Sequence, residues 1–238
     1  MRTLSFIFVC VFAMGISAQS PKVMRPFNEG TRFADLGEFE KAWSSYRTAS
    51  EAAKGEAIDN KYLARLHYNL GVCAFRLGHN EQSVGEFDQA IKLKNGDYPR
   101  AFYALGMAES ARENWPKARL AFLEAVRSNK TNGEAWFDLA FAYLGEKDYA
   151  DAEVAFRNSI TYRSIDSALS HNNVGVLLAM RGDLNSAEKE FETALRSSDN
   201  QLVEAKHNLD YCRAHAAEAV GITVKSVFAY AGRTGTMF

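Results

Sequence analysis

The sequence predicts an all-α solenoid: antiparallel helix pairs stacked in a single row. Two observations carry this expectation. A fixed set of small and aromatic residues recurs five times along the 238 residues. Each recurrence also contains two helix-length stretches separated by a glycine-containing or polar turn. A third observation narrows the alternatives. With 47% hydrophobic and 24% charged residues, 4 Pro and 16 Gly, the composition is that of a globular chain rather than a disordered, collagenous or disulfide-built one.

The first element is not part of the solenoid. Met1-Arg2-Thr3 precedes an uncharged run from Leu4 to Ile16, and small Ser17 and Ala18 follow. Positive start, apolar run and small residues come in the order of a secretory signal peptide. Residues 1–18 are therefore expected to be cleaved and the remainder exported, to a periplasmic, envelope-associated or secreted location. The apolar run is shorter than the ~20 residues of a spanning helix; an uncleaved anchor is the alternative. No later segment is apolar enough to span a membrane. Outside the leader only Cys73 and Cys212 remain. They fall at equivalent places four repeats apart, too far for the ~7 Å Cα limit of a disulfide, and read as buried small hydrophobes. An intermolecular bridge is the alternative.

The repeat is read from its small residues. In the first helix of each unit they are Gly30, Gly71, Gly106, Ala140 and Gly175, and in the second Ala42, Ser83, Ala118, Ala152 and Ala187. Both sets advance by 41, 35, 34 and 35 residues. Four residues after each second-helix position comes an aromatic: Tyr46, Phe87, Phe122, Phe156, Phe191. Three further on comes another small residue: Ala49, Ala90, Ala125, Ser159, Ala194. Small residues let two helices approach, and the aromatic fills the gap one turn along. One pair cannot bury its own apolar face, so the pairs must stack. Glu146, in the turn Gly145–Tyr149, reads as solvent-exposed.

This pattern resembles the tetratricopeptide repeat family, whose unit is about 34 residues of helix–turn–helix. The fullest matches are Trp136-x-x-Leu139-Ala140-x-x-Tyr143 with Tyr149, Ala152 and Phe156, and Phe102-x-x-Leu105-Gly106 with Trp115, Ala118 and Phe122. The resemblance implies a right-handed superhelical solenoid. Its units are expected at 23–56, 64–97, 99–132, 133–166 and 168–201, with a polar capping helix at 202–219. The first unit departs most, with Glu29 in place of the usual Leu and seven extra residues before the second unit, read as longer helices. Residues 220–238 form a C-terminal tail in which Ile222–Tyr230 is β-prone.

No catalytic constellation is present: no H-E-x-x-H, phosphate-loop or G-x-S-x-G pattern. Ser186-x-x-Lys189 lacks the partner motifs of acyl-enzymes. His67, His171 and His207 occupy near-equivalent first-helix places and read as spacers at helix contacts, not metal ligands. No cofactor or metal is expected. Lys+Arg of 28 against Asp+Glu of 29 leaves no basic field for a nucleic acid.

The resemblance implies that the first helices line an inner, concave surface that binds a protein or peptide partner. Carried onto this chain, that surface has Arg65, Tyr68, Asn69 and Phe75 in unit two, and Arg100, Tyr103 and Met107 in unit three. Phe137, Asp138 and Phe141 follow in unit four, Asn172 and Asn173 in unit five, and Asn208 in the cap. Asn69, Asn173 and Asn208 share one register, and an amide row can pair with both groups of an extended peptide bond. The expected function is a non-enzymatic interaction scaffold. The alternative is an assembly factor of a cell-envelope complex acting through its convex face or C-terminal tail.

Overall fold

The computed structural model describes residues 20–215. The leader 1–18, the tail 220–238 and the last residues of the expected cap lie outside them. The described residues form eleven α-helices: α1 Pro21–Asp35, α2 Phe39–Ala53, α3 Asn60–Arg76, α4 Asn80–Leu93, α5 Pro99–Ala111, α6 Trp115–Ser128, α7 Gly133–Gly145, α8 Tyr149–Thr161, α9 Ser167–Met180, α10 Leu184–Ser197 and α11 Val203–His215. There is no strand among them. Each helix packs on the next in chain order, so five antiparallel pairs stack in a row, and α11 closes the stack against α9 and α10. This is the expected solenoid.

What sets the spacing within each pair is the small residue of the first helix. A Cβ placed on Gly71 would lie 2.6 Å from the Phe87 ring. The same would hold at 2.6 Å for Gly106 against Phe122 and for Gly175 against Phe191. These rings are almost wholly buried, so the glycine face is the surface they pack on. Unit four uses Ala140 instead, opposite Phe156, and both are buried.

The turns inside the pairs share one hydrogen-bond pattern. After α3, His79 N–H donates to Ala74 C=O at 2.8 Å and Gly78 N–H to Phe75 C=O at 3.0 Å. After α5 and α7 the same two bonds recur, Asn114 to Glu109 and Glu113 to Ser110, then Asp148 to Tyr143 and Lys147 to Leu144, all 2.9 Å. This double closure puts one residue in the left-handed region. Gly78 takes it at φ 77°, but Glu113 and Lys147 take it at 56° and 61°, where an L side chain is disfavoured. The seven extra residues after unit one lengthen α3 to 17 residues and α2 to 15.

Ionic and polar contacts lie across the pairs. His67 Nδ1 is 2.7 Å from Glu86, and His171 Nδ1 is 2.7 Å from Glu190. In both units the first helix is thereby clasped to a second-helix carboxylate 19 residues on. The histidines are bonded rather than mere spacers. Burial alone would raise the Glu190 carboxyl, but its His171 and Arg157 partners hold it below its ordinary value. His207, with no second helix opposite it among the described residues, is exposed. Glu146 departs from expectation as well. It is partly buried and paired with Arg119, because the turn after α7 folds against α6.

Gly106→Leu should lower stability by at least ~1–3 kcal/mol through overpacking against Phe122. Gly85→Ala, where an added Cβ meets nothing within 4 Å, should raise it by about 0.5–1 kcal/mol. Urea midpoints that shift the same way in both variants would contradict the packing register.

Candidate functional site

The first helices α1, α3, α5, α7, α9 and α11 form one face of the stack. Their side chains take fixed places relative to the small residue of each unit. Three before it stand Phe27, Tyr68, Tyr103, Phe137 and Asn172; two before it stand Asn28, Asn69, Ala104, Asp138 and Asn173. Asn208 takes the second place in the cap, where Asp210 stands in the small position.

These two rows bond to each other across units. Tyr103 OH donates to Asp138 Oδ2 at 2.5 Å. Asn208 Nδ2 donates to Asn172 Oδ1 at 2.9 Å, and Asn172 Nδ2 to Asn173 Oδ1 at 3.1 Å. At the other end, Asn69 Nδ2 donates to Tyr46 OH at 3.1 Å, Tyr46 OH to Thr31 Oγ1 at 3.1 Å, and Thr31 Oγ1 to Phe27 C=O at 3.1 Å. Tyr46 is the one tyrosine in a column otherwise made of Phe. Its hydroxyl bridges the first two units. Burial pushes its ionisation upward, partly offset by the bonds to Thr31 and Asn69.

This corrects the expectation of a peptide-facing amide row. Asn172, Asn173 and Asn208 are buried, and their amides join α9 to α11. Asn69 joins α3 to the first unit. Phe137 is fully buried, with its ring centroid 5.1 Å from that of Phe141 and 5.7 Å from that of Phe156. Asp138 and Met107 are buried too. Buried amides need partners, and neighbouring helices provide them at fixed geometry. Of the expected site residues, Arg65 and Arg100 are exposed, and Asn69, Phe75, Tyr103 and Phe141 are partly so.

Three of the expected residues meet at one place. A cavity of about 660 Å³ opens between α1, α3 and α5, lined among others by Tyr68, Asn69 and Arg100. Thr31, Asp35, Phe39, Tyr46 and Arg76 also line it. The Arg100 guanidinium lies 5.2 Å from the Tyr68 ring centroid, and that of Arg76 lies 5.5 Å from Phe39. Burial raises the ionisation of the Tyr68 hydroxyl, partly offset by Arg100. Arg65 is not in the wall; it stacks on Phe27 at 5.3 Å. The cavity thus offers two cations held close to rings, with a carboxylate at Asp35 and apolar Val72 in its lining. Asp35, Phe39 and Tyr46 were missed from sequence. The lone tyrosine at position 46 was the available signal.

Among the described residues no group of three His, Cys, Asp or Glu side chains could hold a metal, and no helix is long and apolar enough to cross a membrane. Cys73 and Cys212 are free and buried, and burial pushes the Cys73 thiol up to about 12.

A tetratricopeptide repeat family model matches residues 27–101 and 103–161. The chain belongs to the tetratricopeptide repeat family. Its curated relatives include Protein O-mannosyl-transferase TMTC3 of Mus musculus, 26% identical over 145 residues, and that of Homo sapiens, 25% identical over 149. The matches cover 58% and 59% of this chain but 16% of either relative. Among solved structures, MamA from Desulfovibrio magneticus RS-1 superposes with a TM-score of 0.68 at 19% identity, over 78% of this chain and 99% of that one. A tetratricopeptide repeat protein from Parabacteroides merdae gives 0.68 at 18%, over 84% and 77%. YrrB, described as a TPR protein with an unusual peptide-binding site, gives 0.65 at 20%, over 76% and 89%. At these identities the likeness is one of fold.

Tyr46→Phe should lower stability by about 1 kcal/mol, the worth of a partly buried hydrogen bond, because Asn69 and Thr31 lose their shared partner. An unchanged urea midpoint would mean the bridge contributes nothing.

Proposed function

We propose that this repeat protein is a non-enzymatic scaffold that docks an extended segment of a partner protein on its first-helix face. The acidic part of the segment lies over α3 and α5. The observation that carries this reading is the cavity in which Arg76 and Arg100 flank Tyr68 and Asn69. A guanidinium stacked on a ring is held in place before a ligand arrives, which lowers the ordering cost of binding. Arg65, at the edge, extends the same positive field. Asp35 on the opposite wall gives the cavity a polarity, and with it a direction for the bound chain. The fold likeness to YrrB supports a peptide as the ligand class.

A second reading has its own observation. Leu120 on α6 and Val154 on α8 hold the same place in consecutive second helices and are 56% and 57% exposed. Two aligned apolar side chains on the outer face suit assembly into a larger envelope complex. Export belongs to either reading and rests on the order of charge, apolar run and small residues in 1–18.

Selection of a displayed random-peptide library on the immobilised protein tests the first reading. Enriched peptides should be acidic, and Arg100→Glu should weaken their binding by more than about tenfold while leaving helicity unchanged. Enrichment indifferent to Arg100→Glu but lost in Leu120→Glu with Val154→Glu would shift the site to the outer face. For export, N-terminal sequencing of protein recovered outside the cytoplasm should begin at Gln19; an intact Met1 in a membrane fraction would restore the anchor.

A further inference from the structure

We propose that the outer groove between α2 and α4 is a second binding site, which takes an arginine side chain of a partner protein on the carboxylate of Glu86. The site belongs to the second helices and does not rest on the first-helix reading.

Three residues that recur together single out this place. A histidine four residues before the first-helix small position occurs only in units two and five, at His67 and His171. In both units it comes with a glutamate three residues after the second-helix small position, Glu86 and Glu190. In both, the preceding second helix has an arginine five residues after its own small residue, Arg47 in α2 and Arg157 in α8. Units three and four have none of the three.

The two trios differ in one contact. In units four and five the trio is closed. His171 Nδ1 lies 2.7 Å from Glu190 Oε2, and Arg157 donates to Glu190 Oε1 at 3.2 Å. Glu153, one residue after the small position of α8, accepts from the same guanidinium at 2.7 and 3.0 Å. In α2 the place of Glu153 holds Trp43. The Arg47 guanidinium lies 5.2 Å from the Trp43 ring centroid and is not bonded to Glu86. His67 Nδ1 still lies 2.7 Å from Glu86 Oε2, so among the described residues Glu86 Oε1 has no partner. The oxygen that accepts an arginine in unit five is left open in unit two.

Room for a ligand comes from Gly85. Its place in the other second helices holds Ser44, Leu120, Val154 and Lys189. A Cβ on Gly85 would meet nothing within 4 Å. A groove of about 420 Å³ opens there, lined by Trp43, Arg47, Ser50, Gln82 and Glu86 among others.

Charge and shape select a guanidinium. Glu51 and Glu86 outnumber Arg47 in the lining, and Ser50 and Gln82 add neutral acceptors. Five N–H donors in a planar fork serve several acceptors at once, where an ammonium acts as a point charge. The flat face of the fork also suits the Trp43 indole. His67 holds the carboxylate before a ligand arrives, which lowers the ordering cost of binding. The outer site thereby takes a charge opposite to that proposed for the inner face.

The test is selection of a displayed random-peptide library on the immobilised full chain carrying Arg100→Glu, which disables the inner site. Enriched peptides should share an arginine, and synthetic copies with citrulline, its neutral isostere, should bind more than about tenfold more weakly. Gly85→Leu fills the groove at an open helical position. It should weaken the arginine peptides by more than about tenfold at unchanged helicity, and Glu86→Gln should do the same. Peptides without a shared arginine, citrulline copies that bind equally well, or binding unmoved by both Gly85→Leu and Glu86→Gln would each overturn the proposal. Because Arg100 is already replaced, none of these outcomes bears on the acidic-peptide reading.

Discussion

The close approach of a glycine to an aromatic ring is the constraint on which the rest of this molecule depends. Where Gly71 faces Phe87, there is no room even for a methyl group. That contact fixes the distance between α3 and α4 and the rotation of each about its axis. Repeated in α5/α6 and α9/α10, and with alanine in α7/α8, it gives each pair nearly one geometry. Pairs of one geometry stack as a solenoid, because each leaves an apolar face that only the next can cover. It also decides which first-helix residues face inward: once Gly71 is turned to Phe87, Tyr68, Asn69 and Val72 are carried to the wall shared with the neighbouring units.

Polar side chains then tie unit to unit. Buried amides and carboxylates are costly unless paired. Here Tyr103 with Asp138 and Asn208 with Asn172 reach from one first helix to another. Apolar contacts between stacked helices tolerate sliding, whereas a hydrogen bond between two short side chains does not. The first unit uses the aromatic column itself, since Tyr46 keeps the ring contact with Gly30 and adds a hydroxyl between Thr31 and Asn69. The His67–Glu86 and His171–Glu190 contacts serve within pairs what these bonds serve between them. Even buried Glu109 is held by Arg112 and Asn114.

Charge on the inner face is consequently uneven. Exposed cations gather over α3 and α5, where Arg65 and Arg100 stack on Phe27 and Tyr68. The carboxylate of Asp138 belongs to the other half and is engaged by Tyr103. A nearly neutral chain thereby acquires a local field that its net charge conceals. Such a field selects and orients a bound segment more than it strengthens the binding.

The helix pairs, their order and their contact residues were legible in the sequence, because each depends on a local rule repeated five times. A small residue, a ring four places after its counterpart and a turn between them leave few arrangements open, and spacing alone reveals them. The conformation of Glu113 and Lys147 follows from their place after a helix even though neither is glycine. The roles of the inner-face residues were only partly legible. Asn69, Asn173 and Asn208 share a register, which says that they face one way but not what they meet. Asn69 and Asn208 meet partners 23 and 36 residues away, on helices whose relative rotation comes from the packing of other residues. The cavity is of the same kind: Asp35, Phe39, Tyr46, Arg76 and Arg100 come from four helices, and no sequence spacing brings them together. The sequence by itself determined the repeat, because that rests on contacts within one helix pair. Only the tertiary structure decided which polar side chains are bonded between units and which stay exposed on the inner face, because that depends on distances between pairs.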